Sequence, residues 1–155
     1  MKTTIRTATM QDAVAVAFKM READRAEVWA SNRNDPMTAC TNAVAVSTMA
    51  WAAYHDDRPV CIFGVAPLSA LSGIGSPWLL GTDEVAEHSL RFLRRCRPYV
   101  RRMLGVYPVL VNHVDDRNEA SKGWLRWLGF ELGEPAPYGP FGVPFRPFRL
   151  EVPHV

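Results

Sequence analysis

The residues with the clearest potential for chemistry lie on one short segment, in which His113 is followed by Asp115 and Asp116. An imidazole titrates near neutral pH and can act as a general base, so His113 is the candidate catalytic residue. It also stands between Asn112 and Val114 in an apolar strand pattern, where a hydrogen-bonded structural role is the competing interpretation. The sequence has no serine-histidine-aspartate context, metal-ligand spacing or phosphate-binding P-loop, which argues against hydrolases, metalloenzymes and nucleotide-hydrolysing enzymes.

A second candidate site lies where a predicted strand meets a predicted helix, at Leu80, Gly81 and Thr82. Backbone N–H groups at the start of a helix can bind an anion. The next two residues are Asp83 and Glu84, whose carboxylates stabilise the positive end of a helix but repel an anion. Thr82 with these two carboxylates therefore predicts a helix cap.

Length and composition predict one domain over residues 1–155, ending in an arm at 133–155 that is rich in proline, glycine and aromatic residues. A chain of 155 residues with 48% hydrophobic content can bury one sizeable core. No stretch has the roughly 18 to 20 apolar residues that span a bilayer, and the N-terminus lacks a signal-peptide pattern, so we expect a cytoplasmic protein without a membrane partner. The cysteines are expected to be buried thiols and no metal site is predicted; they are Cys40, Cys61 and Cys96.

Hydrophobic periodicity predicts strands and helices in the order that builds a mixed sheet covered by helices. The strongest signal is a hairpin, in which two apolar runs flank a turn at 55–58. The predicted strands are Thr4–Ala8, Met49–Tyr54, Val60–Pro67, Pro77–Gly81, Pro108–Val114 and Phe148–Val152, and the predicted helices are Met10–Ser31, Pro36–Val46, one from near Thr82, and one capped by Asn118 that ends at Leu128.

The first predicted helix, Met10–Ser31, carries a run of alternating charges from Arg21 to Glu27. Opposite charges lie three and four residues apart in this run, which favours a solvated helix face. Apolar side chains that recur at helical spacing are expected to form the buried face; they are Val14, Ala17, Phe18 and Val28.

The predicted helix that begins near Thr82 has six arginines between residues 91 and 102, and Pro98 is expected to kink or divide it. Such a strip could contact phosphate groups. Aromatic side chains for base stacking are not interleaved with the arginines, and the net charge is only +2, so nucleic acid is not expected. A solvated face or an acidic protein partner is favoured.

The block 109–132, VLVNHVDDRNEASKGWLRWLGFEL, resembles the strand, asparagine-capped helix and terminal Gly-Phe of the GNAT superfamily of acetyltransferases. The hairpin at 52–67 is similar to the central hairpin of the same fold. The resemblance covers nearly the whole chain and implies an α/β fold, with a mixed central sheet and helices on both faces.

More narrowly, several strings resemble the internal virion protein A family of short-tailed bacteriophages, a GNAT-like group. They are READRAEV, IFGVAP, PWLLGTDEV, VDDRN, WLRWLGF and YGPFGVPFRPF. The resemblance implies a phage origin, a place in the virion or in its assembly, and a location in the virion or the infected host cytoplasm.

The GNAT resemblance also implies a cofactor, acetyl-CoA, whose pyrophosphate is bound by a Gln/Arg-x-x-Gly-x-Gly/Ala loop at a helix start. The matching positions, 79–85, have one glycine and no Arg or Gln in register. The family's general-acid tyrosine falls at Leu125, which cannot donate a proton, and the indoles of Trp124 and Trp127 are not useful acids. We therefore expect no cofactor; if acetyl-CoA does bind, its expected contacts are Leu80, Gly81, Thr82 and Asn118.

The first hypothesis is accordingly a phage protein that acts by binding, as a virion component or assembly factor. Other virion proteins would contact the arginine-rich helix at 91–102 or the arm at 135–148. The arm's aromatic side chains could equally pack on the chain's own sheet, and both alternatives stay open.

The alternative hypothesis is an active N-acetyltransferase with an atypical site. An enzyme requires an open cleft between the strands at 77–81 and 108–114, with free backbone N–H groups near 81–84. A binding protein could fill the same cleft with Trp78 or Trp124.

Overall fold

A computed structural model describes residues 2–69 and 71–152, which form one mixed sheet with helices on both faces. The elements are β1 Thr3–Thr7, α1 Met10–Phe18, α2 Glu22–Asn32, α3 Pro36–Val46, β2 Met49–His55, β3 Arg58–Ser69, β4 Ile74–Gly81, α4 Asp83–Glu87, α5 Ser89–Val106, β5 Val109–Asp115, α6 Glu119–Trp127, β6 Glu131–Leu132, β7 Ala136–Tyr138 and β8 Val143–Glu151. The strand order is β1-β2-β3-β4-β5-β8-β6, with β7 paired to β8.

The central strands β4 and β5 are parallel, but they pair over only two positions. Ile74 is opposite Val109 and Gly75 is opposite Leu110, and beyond these pairs the strands diverge. Asn112 of β5 reaches back across the opening, where its Nδ2 donates to the carbonyl oxygen of Pro77 at 2.8 Å. The sheet is therefore split along its middle, with an apolar core cluster on each face.

The predicted hairpin and the α3 helix are confirmed. The turn uses Asp56 in a left-handed conformation, with φ of 53°, a region that aspartate tolerates better than most residues. The next strand, β4, begins at Ile74 and is therefore longer than the predicted 77–81.

The prediction of one long first helix is wrong, because α1 and α2 are separated by a short break. At this break Met20 forms a β-bridge with Thr82, and the backbone N–H of Arg21 donates to the carbonyl oxygen of Gly81 at 2.8 Å. The buried face of α1 also differs from the predicted one, since Phe18 is 73% exposed whereas Val16 is fully buried.

Pro98 does not divide the helix, because α5 runs through it from Ser89 to Val106. The division falls instead at His88, between α4 and α5. Proline removes the hydrogen bond to the carbonyl of Arg94, which is on the exposed face of the helix, where water can satisfy that oxygen.

The described part of the C-terminal arm, residues 133–152, joins the sheet, since both β7 and β8 belong to the arm. The side chains of Phe145 and Phe148 are buried, and Tyr138 packs against Phe145. Phe141 remains half exposed and stacks on Trp29. Of the two alternatives for the arm, packing on the chain's own sheet is the one that the structure displays for most of its aromatic residues.

Asn118 caps α6 as predicted, because its Oδ1 accepts from the Ser121 N–H, and Gly129 follows the helix with φ of 100°. The three cysteines are buried thiols, as expected. Within residues 2–69 and 71–152 no helix is both long and apolar enough to cross a membrane.

Gly64 of β3 provides a test of how closely the central strands pack. A Cβ at this position would lie 2.3 Å from the Met49 carbonyl oxygen and 2.9 Å from the Ala50 Cα, so backbone must move. We expect Gly64→Ala to lower the free energy of unfolding by about 2–4 kcal/mol, measured by urea denaturation.

Gly123→Ala is the matched control, because a Cβ there meets nothing within 4 Å in the middle of α6. This substitution should raise the free energy of unfolding by up to about 1 kcal/mol through helix propensity. Equal effects of the two substitutions would contradict the packing argument.

Candidate functional site

The opening between β4 and β5 leads into a cavity of about 370 Å³. Its walls come from both strands and from helices on both faces of the sheet. Trp78 and Trp124 line this cavity without filling it. The cleft is thus open over part of its length, and a small apolar group could enter it.

The edge of β4 that faces this opening has backbone groups directed away from β3. The N–H of Thr82 bonds to the Val60 carbonyl oxygen on β3, so alternation turns the N–H and C=O groups of Leu79 and Gly81 toward β5. Unpaired backbone groups in a cleft are ready to bind a ligand or another part of the chain. At Gly81 the chain itself supplies the partner.

That partner is Asp24 of α2, which is buried together with Arg21. One carboxylate oxygen of Asp24 accepts from the Gly81 N–H at 2.8 Å, and the other lies 2.7 Å from the Arg21 guanidinium. The Arg21 backbone N–H completes the contact by donating to the Gly81 carbonyl oxygen. Both backbone groups of Gly81 are therefore engaged by the start of α2.

The guanidinium of Arg21 extends from this contact to α6, on the far side of the opening. Its Nη2 donates to Ser121 Oγ at 2.7 Å and to Asn118 Oδ1 at 3.3 Å. Its planar face lies over the Trp124 ring, with the guanidinium carbon 4.7 Å from the ring centroid. Arg21 thus bridges the end of β4 and the start of α6.

Glu27 stands one turn further along α2 and lines the cavity. Its Oε1 accepts from the Asp115 backbone N–H at 2.8 Å and from Asn118 Nδ2 at 3.5 Å. Burial raises the pKa of Glu27 to about 7, and the negative charge of Asp24 acts in the same direction. This carboxyl therefore changes charge near neutral pH.

His113, the predicted catalytic residue, lies at the rim of the cavity and stacks on Tyr138, with ring centroids 4.3 Å apart. Partial burial lowers the pKa of His113 below its usual value. The neighbouring carboxylates bind cations instead: Asp115 pairs with Arg117 and Asp116 pairs with Arg146. The structure thus places His113 at the cleft but without the acidic neighbours that the sequence suggested for it.

The strand-to-helix junction differs from its prediction in one respect. The Thr82 hydroxyl donates to the Val60 carbonyl oxygen at 2.9 Å, so its side chain does not cap α4, although Thr82 occupies the N-cap position of that helix. The Leu80 side chain packs into the core cluster beneath α1 and α3. Glu84 in the first turn lies 2.8 Å from the Arg58 guanidinium.

Sequence reasoning missed Arg21, Asp24 and Glu27, since it assigned this charged run to a solvated face. A signal was present: Arg21 and Asp24 fall on the same helical face as the buried Val28. In the part of the chain that the structure describes, no cluster of His, Cys, Asp and Glu side chains could hold a metal ion.

No model of a known protein family matches the sequence, and no curated protein is significantly similar to it. Solved structures match over nearly their full length. A GNAT-family acetyltransferase from Streptococcus pneumoniae has a TM-score of 0.64 at 15% identity, with 97% of this chain and 100% of that chain covered. An N-acetyltransferase from Staphylococcus aureus Mu50 has a TM-score of 0.72 at 15% identity, with 97% and 99% covered.

A GNAT-superfamily phosphinothricin acetyltransferase from Sinorhizobium meliloti, solved in complex with acetyl-CoA, has a TM-score of 0.70 at 12% identity. The match covers 98% of this chain and 89% of that one. The chain therefore has the single-domain α/β GNAT fold, as the sequence predicted.

Removal of either partner of the Arg21–Asp24 pair should destabilise the protein strongly. Arg21→Ala leaves a buried carboxylate without its cation, and Asp24→Ala leaves a buried guanidinium, so each should cost about 3 kcal/mol of unfolding free energy. The double variant should cost less than the sum by more than about 1 kcal/mol, as measured by urea denaturation.

The exposed pair Arg149 and Glu151 is the control for this cycle, and its coupling should stay below about 1 kcal/mol. Additive losses at Arg21 and Asp24 would show that the two residues do not act as one buried unit.

Glu27 should make stability depend on pH. Because its folded-state pKa is raised, its stabilising contribution is fully present below its ordinary pKa of 4.5 and is lost as the pH rises through about 7. In Glu27→Gln the amide oxygen can still accept a hydrogen bond from the Asp115 N–H. The substitution should remove about 1–2 kcal/mol of this decline in stability, a figure kept small because water in the cavity partly hydrates the carboxyl.

The measurement is the free energy of unfolding at several pH values between 4.5 and 8, a window that brackets the shift of this carboxyl to about 7. Glu22→Gln, an exposed carboxyl on the same helix, is the control and should keep the parent's decline. An unchanged decline in Glu27→Gln would refute the assignment.

Proposed function

We propose that this GNAT-fold chain acts by binding another macromolecule and does not transfer acetyl groups. The observation that carries the proposal is the contact of Asp24 with the Gly81 N–H, together with the bridge from Arg21 to α6. These contacts lie where the family resemblance places the pyrophosphate of acetyl-CoA.

Acetyl-CoA does not fit the residues at this place. A pyrophosphate needs free N–H groups at the start of a helix, but Gly81 donates to Asp24 and Thr82 donates to β3. The carboxylates of Asp83 and Glu84 are in the first turn of a helix only five residues long. A bound pyrophosphate would have to displace one carboxylate and lie beside two more, and each like-charge contact weakens binding.

The position of the general acid supports the same proposal. Leu125 packs against the main core cluster, as an apolar residue does, and offers no proton. Asn118, the other residue that a cofactor would contact, already binds Arg21 and Glu27 through its amide. The amide of Asn118 is therefore engaged by other side chains of the chain itself.

The cavity favours a second candidate, an N-acetyltransferase with an atypical site that uses acetyl-CoA. The opening beside Leu79 is the cleft that an enzyme requires, and His113 at its rim could serve as a base. Loss of the Arg21 bridge would be needed to admit the cofactor. We rank this candidate second because it requires a buried ion pair to separate.

The biological setting of the proposed binding function rests on the resemblance to the internal virion protein A family. We assign the chain, as part of this proposal, a role as a phage virion component or assembly factor. Other virion proteins would then be its partners, through the exposed face of α5 or through the parts of the arm that stay exposed, such as Phe141.

Titration with acetyl-CoA separates the two candidates. We expect no heat of binding and no rise in melting temperature at millimolar acetyl-CoA, because the N–H groups of Gly81 and Thr82 are engaged and the first turn of α4 carries two carboxylates. A ligand present at 100 times its Kd would stabilise the folded state by roughly 2.7 kcal/mol, which a thermal scan detects readily.

Coenzyme A without the acetyl group is the control for non-specific effects of the nucleotide. Micromolar binding of acetyl-CoA would overturn the proposal. His113→Ala and Asn118→Ala would then be assayed for loss of transferase activity.

A further inference from the structure

The exposed face of α5 has an arrangement of arginines that the fold does not require. Two pairs, Arg94 with Arg95 and Arg101 with Arg102, are separated by seven residues. Positions seven apart on an α-helix lie on nearly the same face, about 10.5 Å apart along the axis. All four side chains are exposed.

The two pairs form two rows on this face. Arg94 and Arg101 make one row and Arg95 and Arg102 the other, about 100° around the helix. Between the rows run Arg91, Pro98 and Gly105, all exposed, and the last two are small. The face is therefore a shallow groove that is flanked on both sides by arginine side chains.

These arginines differ from most others in the chain, which bind carboxylates. Arg6, Arg117 and Arg146 each form an ion pair with an aspartate. Over residues 2–69 and 71–152 none of the arginines in the two rows, nor Arg91, forms an ion pair; of the four, only Arg102 contacts an aromatic ring, that of Tyr99. The charge of this face is thus left uncompensated.

The geometry points to this face as the docking site for an acidic α-helix of a partner protein, with carboxylate pairs that recur every seven residues. At the level of Pro98 and Gly105, the two small residues of the central row, two helix axes can approach to about 8–10 Å, and the flanking arginines then face acidic side chains on both sides of the partner. This inference rests on the proposed binding function and names the surface and chemistry of its partner.

A helix fits this face better than a nucleic acid does. The basic strip from Arg91 to Arg102 is only about 16 Å long, and the exposed carboxylates of Asp83 and Glu87 precede it. The nearby ring faces are covered, since Arg97 lies over Trp127 and Arg102 over Tyr99, so bases cannot stack on them from that side.

The test uses the full chain and two designed helical peptides, each three heptads long, or about 21 residues. One carries adjacent glutamate pairs every seven residues, and the other has the same composition with the glutamates spread around the helix. Fluorescence anisotropy at physiological salt should give about tenfold tighter binding of the first peptide, since only it can match both rows at once.

Charge reversal locates the site. The double variant Arg95→Glu, Arg102→Glu should weaken binding of the paired peptide by more than about tenfold. The control variant Lys19→Glu, Arg126→Glu makes the same change in net charge at exposed positions of α1–α2 and α6, and it should change binding by less than about threefold. Thermal unfolding of both variants checks that each is folded.

Three outcomes would overturn the inference. Equal affinity for the two peptides would indicate a non-specific response to charge, and the absence of binding would remove the site. Tighter binding of a single-stranded RNA than of the paired peptide at the same salt would make the face a nucleic-acid surface. None of these outcomes depends on whether acetyl-CoA binds, so the two proposals can fail separately.

Discussion

The buried ion pair of Arg21 and Asp24 is the constraint on which the central region depends. The parallel strands β4 and β5 diverge after two pairs, and this leaves backbone groups of Gly81 without a strand partner. A buried N–H without an acceptor costs free energy comparable to a lost hydrogen bond, so the split sheet needs a substitute. Asp24 provides this acceptor, and burial of the Asp24 carboxylate is tolerated only because the Arg21 guanidinium lies beside it.

The same pair explains the division between α1 and α2. The carboxylate can reach Gly81 only if the start of α2 lies against the end of β4, which the Met20–Thr82 bridge and the Arg21 backbone bond achieve. An uninterrupted helix has no free N–H at such a position. The start of α2 thus contacts both β4 and α6, since the Arg21 side chain extends to Ser121 on α6.

Sequence patterns predicted the fold well because most of it follows local rules. The hairpin, the Pro36 helix and the Asn118 cap depend on residues close in the chain. The helix break and the burial of Asp24 depend on contacts with Gly81, 57 residues away, which no local pattern contains. Pro98 does not end α5 for a different reason, since the hydrogen bond that it removes belongs to an exposed carbonyl, which water can bind.

The sequence describes only part of the candidate site. Motif matching puts the site at the junction of β4 with α4, and the carboxylates of Asp83 and Glu84 indicate why that junction would repel an anion. It could not supply the carboxylate that occupies the junction, because charged runs on helices are usually solvated. The occupied junction and the arginines of α5 are the two observations on which the binding proposal rests. The buried charges of Arg21 and Asp24 neutralise each other within the chain, whereas the exposed arginines of the α5 face form no ion pair within residues 2–69 and 71–152.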